Sequence, residues 1–291
     1  MPHYRRAHDY TIARHILEQV ALRIFGSGWA ARLHQRLGFH QPLRIWHETI
    51  TIALPAPTEL PPPLRIVFAS DFHSGPMTLP SVITAAIQAI SALQPDLLLL
   101  GGDYVSWNNT GIDTLATQLG QIEARYGRYG VLGNHDLWAD DIPIRRAFAK
   151  AGIQILLNQE IRLPPPYQQL RIYGMDDPTA GQPQAPHDPL TTGEIRIVLT
   201  HAPEGLALLQ PEQYQFALAG HTHGGQVALP NGFAFLLLPG SLSQRYAAGR
   251  HRITTHQREI LVSRGVGYGD LPIRWNAPAD ILACTLQWER Q

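Results

Sequence analysis

The sequence predicts an α/β protein in which two β-sheets pack face to face with helices outside, preceded by an N-terminal amphipathic helical segment. Three observations predict it. Between Leu64 and Ala151, short continuous apolar runs alternate with stretches of helical periodicity, the pattern of strands covered on both faces. After Leu170 the segments become strand-rich. Residues able to ligate metals recur directly after the apolar runs, at the strand ends where α/β sheets place their chemistry.

From the N-terminus, Ile12, Ile16, Val20 and Ile24, with Ala13, Leu17, Ala21 and Phe25, recur at helical spacing, and Arg14, His15, Glu18, Gln19 and Arg23 fill the other face. Gly26-Ser27-Gly28 interrupts this helix, and Trp29, Leu33 and Leu37 mark a shorter second one. Arg5, Arg6, Arg14, Arg23, Arg32, Arg36 and Arg44 against Asp9, Glu18 and Glu48 make the segment basic. Such a pair suits a membrane interface with anionic headgroups; packing on its own domain or on another subunit is the alternative. Arg44 to Leu54 alternates as a strand, and Pro55, Pro57, Pro61, Pro62 and Pro63 make a stiff extended connection. The expected organisation is a helical segment at 1–43, a strand and Pro-rich linker at 44–63, and a catalytic domain at 64–291.

Within that domain the pattern predicts a strand over Leu64 to Ser70, a helix over Pro80 to Leu93, a strand at Leu97-Leu98-Leu99-Leu100 and a helix over Ile112 to Arg125. A strand over Tyr129 to Gly133 follows, then a helix over Ile142 to Ala151 that Asp140 or Asp141 can cap. The later strands are Leu170 to Gly174, Ile195 to Thr200, Phe216 to Ala219, Gln226 to Ala228, Arg258 to Ser263 and Ile281 to Trp288. Asp176 to Gly193, rich in proline and glycine, reads as an ordered surface loop or a mobile lid.

With 44% hydrophobic residues in 291, the chain can bury a full core, and its zero formal net charge argues against a nucleic-acid-coating protein. The single cysteine, Cys284, excludes an internal disulfide and an all-thiolate metal site, so any metal must take nitrogen and oxygen ligands. No run of about 18 uncharged apolar residues occurs, so a spanning helix is not expected. Arg5-Arg6 is not followed by the apolar stretch of an export signal. The expected location is cytoplasmic, with peripheral contact at the inner membrane face through the N-terminal helices.

The chemistry concentrates after the apolar runs. The first is followed by Asp71-Phe72-His73, the second by Gly102-Asp103, the third by Gly133-Asn134-His135-Asp136, and later ones by Thr200-His201 and Gly220-His221-Thr222-His223. In extended chain, residues i and i+2 share a side, which brings Asp71 toward His73 and His221 toward His223. A lone His-x-His is as readily a pair of surface histidines beside a turn. Carboxylates, an amide oxygen and four or five imidazoles at successive strand ends exceed what one divalent ion needs, and suit two ions about 3.5 to 4 Å apart. Oxygen plus imidazole ligation favours manganese, iron or zinc over copper.

In this order and context, the five motifs resemble those of the calcineurin-like metallophosphoesterases over Leu64 to the C-terminus. The likeness extends to a bacterial phosphodiesterase branch with a membrane-associated N-terminal segment, through Leu98 to Val105, Gly220 to Gln226 and Ser263-Arg264-Gly265-Val266-Gly267. Some members of that branch hydrolyse UDP-2,3-diacylglucosamine in lipid A synthesis. The resemblance implies a four-layer α/β/β/α sandwich and two divalent ions, manganese first and iron or zinc next. It implies that Asp71, His73 and His223 hold one ion, that Asn134, His201 and His221 hold the other, and that Asp103 bridges. His135 would stabilise or protonate the leaving oxygen, with Asp136 beside it as a further catalytic candidate.

One departure is visible. Protein-phosphatase relatives carry an aspartate three residues after the bridging one, which orients the catalytic histidine; here Ser106 takes that position and leaves His135 without an identified partner. Arg245, Arg250 and Arg264 offer forks for a diphosphate, with Arg245 and Arg264 the substrate-binding candidates. Phe233, Phe235, Leu236, Leu237 and Leu238 would either floor an acyl-chain groove or form an interior strand. The expected activity is two-metal phosphodiester or pyrophosphate hydrolysis on a membrane-borne phosphate ester. The alternatives are a soluble phosphodiesterase for nucleotides or small diesters and, more distantly, a metal-stabilised binding scaffold.

Overall fold

The alternation within Leu97–Leu100 defines the layers: Leu97 and Leu99 face a second sheet, while Leu98 and Leu100 face helices, and all four are fully buried. In the computed structural model of the protein, residues 7, 11–37, 42–55, 59–229, 240–253, 258–269 and 272–291 are described. The apolar run 233–238, the Arg5-Arg6 pair and Pro57 lie outside them.

In chain order the first elements are α1 (Ile12–Phe25), α2 (Trp29–Arg36), β1 (Arg44–Leu54), β2 (Leu64–Ala69), α3 (Pro80–Ala92) and β3 (Leu97–Leu100). Next come α4 (Ile112–Gly120), β4 (Arg128–Gly130), α5 (Asn134–Ala139), α6 (Asp141–Lys150), β5 (Gln154–Ile155) and β6 (Gln159–Arg162). The second half holds β7 (Leu170–Gly174), β8 (Ile195–Leu199), β9 (Phe216–Ala219), α7 (Ser241–Arg245), β10 (Gly249–Ile253), β11 (Arg258–Val262) and β12 (Asp280–Arg290).

Two six-stranded sheets result, in the orders β1-β12-β2-β3-β4-β5 and β10-β11-β9-β8-β7-β6. Strands β2 to β5 are mutually parallel, as are β7, β8, β9 and β11, so within each sheet these strands end along one edge. The layers are those of an α/β/β/α sandwich. Ile66, Phe68, Leu97 and Leu99 meet Ile172, Ile197, Leu218 and Leu261 between the sheets. On the outer face of the first sheet, α3, α4 and α6 contribute Ile83, Ile90, Leu115, Leu119, Ile144 and Phe148. The fourth layer is thin: the outer face of the second sheet is covered by 3-10 turns at Pro203–Leu208 and Pro211–Gln213, by α7, and by Tyr214 and Tyr246.

Several element boundaries differ from expectation, each for a local reason. Helix α4 stops at Gly120 because Gln121 and Ile122 turn back onto Thr117 and Leu119, and because the glycine lies where a Cβ would come 2.5 Å from the Ala151 carbonyl. The expected strand at 226–228 is only a bridge between Val227 and Trp275, since Gln226 adopts a left-handed φ of 50°. The stretch 176–193 is an ordered loop: Asp177 caps it by accepting from the Thr179 amide at 3.0 Å and the Ala180 amide at 2.6 Å. Asp140 caps α6, its carboxylate accepting from the Ile142 amide.

Strand β1 runs parallel to β12 along its whole length, from Arg44 opposite Asp280 to Leu54 opposite Arg290, and so forms the edge of the first sheet. On α1, Leu22 and Phe25 pack on Met77, Trp107 and Tyr268. The opposite ridge is open: Ile12, Ile16, Val20 and Ile24 are 59, 56, 45 and 51% exposed. Among the described residues, no helix is long and apolar enough to cross a membrane.

The stacked-sheet core predicts a large penalty for truncating its centre. Leu99→Ala should lower unfolding free energy by about 2–5 kcal/mol in chemical denaturation; a loss well below that range would mean that the two sheets do not share a packed interior there.

Candidate metal centre

Because the parallel strands of both sheets end along facing edges, the residues that follow them converge. Asp71 and His73 follow β2, Asp103 follows β3, Asn134 and His135 open α5 after β4, His201 follows β8, and His221 and His223 follow β9. Strand-like pairing continues beyond the strands and fixes these loops: the Asp71 amide donates to Gly102 (2.9 Å), His73 to the Asp103 carbonyl (3.0 Å) and Gly220 to the His201 carbonyl (2.9 Å).

The side-chain geometry is not that of extended chain. Asp71, His73, Asp103, His221 and His223 all have positive φ, at 54°, 44°, 51°, 70° and 49°. For non-glycine residues this is costly and occurs where surrounding structure imposes it. The i, i+2 argument therefore brings Asp71 and His73 into one group for the wrong geometric reason, and it does not hold for the two later histidines. His221 and His223 also diverge: His223 joins Asp71 and His73, whereas His221 joins Asp103 and His201.

In the first group, His73 Nε2 lies 3.0 Å from His223 Nε2, and His223 Nε2 lies 3.5 Å from Asp71 Oδ1. In the second, His201 Nε2 lies 3.2 Å from Asn134 Oδ1 and 3.1 Å from His221 Nδ1. One oxygen stands between them: Asp103 Oδ2 is 3.5 Å from His73 Nε2 and 3.2 Å from His201 Nε2. The other Asp103 oxygen, Oδ1, accepts the His135 amide at 2.9 Å. His201 Nδ1–H donates to the Gly101 carbonyl at 2.7 Å, which turns Nε2 toward the cluster. Burial acts to lower this imidazole, but Asp103 outweighs it and raises it well above the usual range, so a cation bound there displaces the Nε2 proton. Gly133 is required here, because a Cβ on it would sit 2.7 Å from both the Asp103 amide and the His201 ring.

Burial and crowding shift the charges. Burial, with Asp103 nearby, raises Asp71 to about 6. Burial also acts to raise Asp103, but His201 and His135 outweigh it and hold Asp103 well below the usual carboxylate range. Burial lowers His73 and His223 well below the imidazole range, and burial together with His201 lowers His221 to about 3. These shifts favour the neutral form of all three imidazoles, the form that can ligate a metal. Convergent neutral nitrogens and carboxylate oxygens are the donor set of a divalent cation, and the residues present fit a pair of such ions.

His135 sits beside this set, its ring edge-on to His73 at 4.7 Å and to Trp138 at 4.8 Å between centroids. Its Nδ1–H donates to the backbone carbonyl of Ser106 at 2.7 Å. The partner left unidentified by the sequence is thus a main-chain oxygen at the departing position itself. The Ser106 hydroxyl points elsewhere, donating to the His73 carbonyl. Asp136, expected beside His135 in catalysis, spends both oxygens on backbone amides: Oδ1 accepts from Tyr104 (2.8 Å) and Oδ2 from Gly133 (3.0 Å). It belongs to none of the cation-holding groups.

Of the arginines, Arg264 borders the His223 loop, its stem against Gly224, and pairs with Asp280 at 3.0 Å. Arg245 is exposed at the end of α7, with its guanidinium over the Tyr246 ring. Arg250 is taken up by Glu48 and Glu259. Sequence reasoning missed Arg274, which is buried and lies 3.1 Å from His223 Nδ1. It falls in a stretch without helix or strand, so no periodicity marks it.

The sequence model of the calcineurin-like phosphoesterases matches residues 64–225. The chain belongs to that family. This metallophosphoesterase is 31% identical over 228 residues to phosphodiesterase YaeI of Escherichia coli (strain K12), across 76% of this chain and 82% of that protein. It is 29% identical to an uncharacterized metallophosphoesterase of Aquifex aeolicus (strain VF5), covering 84% and 92% of the two chains. A transmembrane protein with metallophosphoesterase domain from Danio rerio is 28% identical, and the chain spans 53% of its length. The protein is a metal-dependent phosphoric ester hydrolase.

Loading the cluster should stabilise the fold. With a divalent ion at a hundred times its Kd, each occupied site should add about 2.7 kcal/mol relative to chelator-stripped protein. The gain should shrink as pH falls, because a protonated imidazole cannot ligate. Equal melting temperatures for stripped and refilled protein would sink the cation-site assignment.

Proposed function

We propose that the protein hydrolyses phosphodiester or pyrophosphate bonds with two divalent ions, manganese first among them. The observation that carries this is the single oxygen, Asp103 Oδ2, standing between imidazoles of two separate groups. Asp71, His73 and His223 would hold one ion, Asn134, His201 and His221 the other, and Asp103 would serve both. A bound ion pair supplies an activated water and neutralises the phosphoryl oxygens. His135 delivers the proton to the leaving oxygen. Since the Ser106 carbonyl retains Nδ1–H before and after transfer, the mobile proton is the one on Nε2. Asp136 positions the chain: by tying Tyr104 to Gly133 it fixes the loops that carry Asp103 and His135.

The preferred substrate is a lipid-linked phosphate ester, such as UDP-2,3-diacylglucosamine, met at a membrane surface. The support is α1. Its inner face packs on Trp107 and Tyr268, while the open ridge of isoleucines and Val20 continues into exposed Trp29, Leu33 and Leu37 of the following segment. Arg23, Arg32 and Arg36 are exposed alongside, complementary to anionic headgroups. Arg264, bordering His223, is the diphosphate-binding candidate that best fits this class.

Metal-stripped protein refilled with manganese should cleave an aryl phosphodiester, and His135→Ala should lower kcat by roughly 10²–10⁴ while two ions remain bound. A variant as fast as the parent would remove His135 from the mechanism. In flotation with phosphatidylglycerol vesicles, the protein should rise with the lipid and the Ile16→Asp, Val20→Asp double variant should not. A parent that stays below would leave a diesterase acting on nucleotides or small diesters.

A further inference from the structure

Arg274 is 3% exposed, and among the described residues its guanidinium has no hydrogen bond to a carboxylate. Its donors go to main-chain carbonyls: Nε to Gly267 (3.1 Å), Nη1 to Ala277 (3.0 Å), and Nη2 to Gly267 (2.6 Å) and Arg264 (2.8 Å). Nη2 also lies 3.1 Å from His223 Nδ1, and Nη1 reaches the His223 carbonyl at 3.4 Å. A guanidinium keeps its charge at neutral pH. A charged group held this deep needs the carbonyl dipoles that surround it, and they in turn are fixed by it.

The clasped segment 264–267 is itself a support. The Val266 amide donates to Ser70 (3.0 Å) and the Gly267 amide to the Asp71 carbonyl (2.7 Å). Gly265, at φ 73°, lies so close that a Cβ would be 2.5 Å from that of Asp71. One guanidinium therefore backs Asp71 through the loop and the His223 main chain through its carbonyl; when Nε2 ligates, Nδ1 carries the proton and Nη2 keeps its bonds to the Arg264, Gly265 and Gly267 carbonyls. Among the described residues it makes no hydrogen bond to Asn134, His201 or His221, whose group rests instead on the Gly101 carbonyl and the α5 turn.

We propose that Arg274 is a positioning residue for one half of the metal pair, holding Asp71 and His223 in ligating geometry while leaving the Asn134, His201 and His221 half unaffected. This rests on the two-ion reading above. A planar fork of five donors meets this spread of acceptors; a lysine has three donors on one point and meets it in part.

The test is manganese binding, followed by calorimetric titration and by the exchange-coupled electron paramagnetic resonance signal of a paired site. It uses full-length parent, Arg274→Lys and Arg274→Met. The parent should bind two ions. In Arg274→Met one affinity should fall by roughly 10–100-fold, as for loss of other outer supports of a ligand, with the coupled signal lost at ion concentrations that still fill the other site. Arg274→Lys, which keeps a charge there if the larger change prevents folding, should weaken the same site by less. Two unchanged affinities in a folded variant would overturn the proposal. So would equal weakening of both sites in step with melting temperature, which marks a merely structural residue. A parent that binds no manganese would overturn the two-ion reading and this inference together.

Discussion

Everything at the centre depends on Asp71 and Asp103, two carboxylates buried among the imidazoles of His73, His135, His201, His221 and His223 at the seam between the sheets. An isolated buried charge is prohibitive, so each oxygen must find a partner within a few ångströms. Oδ1 of Asp103 takes a backbone amide and Oδ2 faces His73 and His201; both oxygens of Asp71 receive the His221 amide. These partners come from both sheets, which requires the two C-terminal edges to be brought level. The electrostatics of the cluster and the relative placement of the sheets are one constraint.

The same constraint explains where backbone strain accumulates. Left-handed φ at a non-glycine residue costs of order 1–3 kcal/mol, and the cluster gathers five such residues. Strand-like pairing carried past the strand ends, at Asp71, His73 and Gly220, supplies the surrounding structure that imposes them. Gly133 and Gly265 contribute by lacking a side chain where Asp103, His201 and Asp71 press against the chain. A rigid, preorganised cluster follows, suited to ions that demand fixed ligand positions.

Much of this was legible because it depends on residue type and order. Apolar runs such as Leu97–Leu100 announce doubly covered strands, and Asp, Asn and His placed directly after them announce the cluster. What stayed hidden depends on backbone or on partners distant in sequence. The acceptor for His135 is the main chain of Ser106, which a side-chain comparison cannot reveal. The Asp136 carboxylate serves amides some thirty positions away, at Tyr104. Edge strand β6, Gln159–Arg162, is mostly polar because it has one exposed side, and β5 is two residues long, so neither carries an apolar signature. Helix α5 is masked by the turn-like Gly133-Asn134 that opens it, and left-handed φ at an aspartate or histidine leaves no compositional trace.

The pairing of β1 with β12 bears on how the chain is made. β12 lies between β1 and β2, so the first sheet waits for residues 280–290 before its middle is filled. During synthesis, β1 and the buried edge of β2 have no neighbour until residues 280–290 have emerged. Contacts of such long sequence separation form slowly and leave apolar strand edges open to other chains meanwhile. The interval between the emergence of β1 and that of β12 is therefore a period in which an apolar strand edge stands open to aggregation.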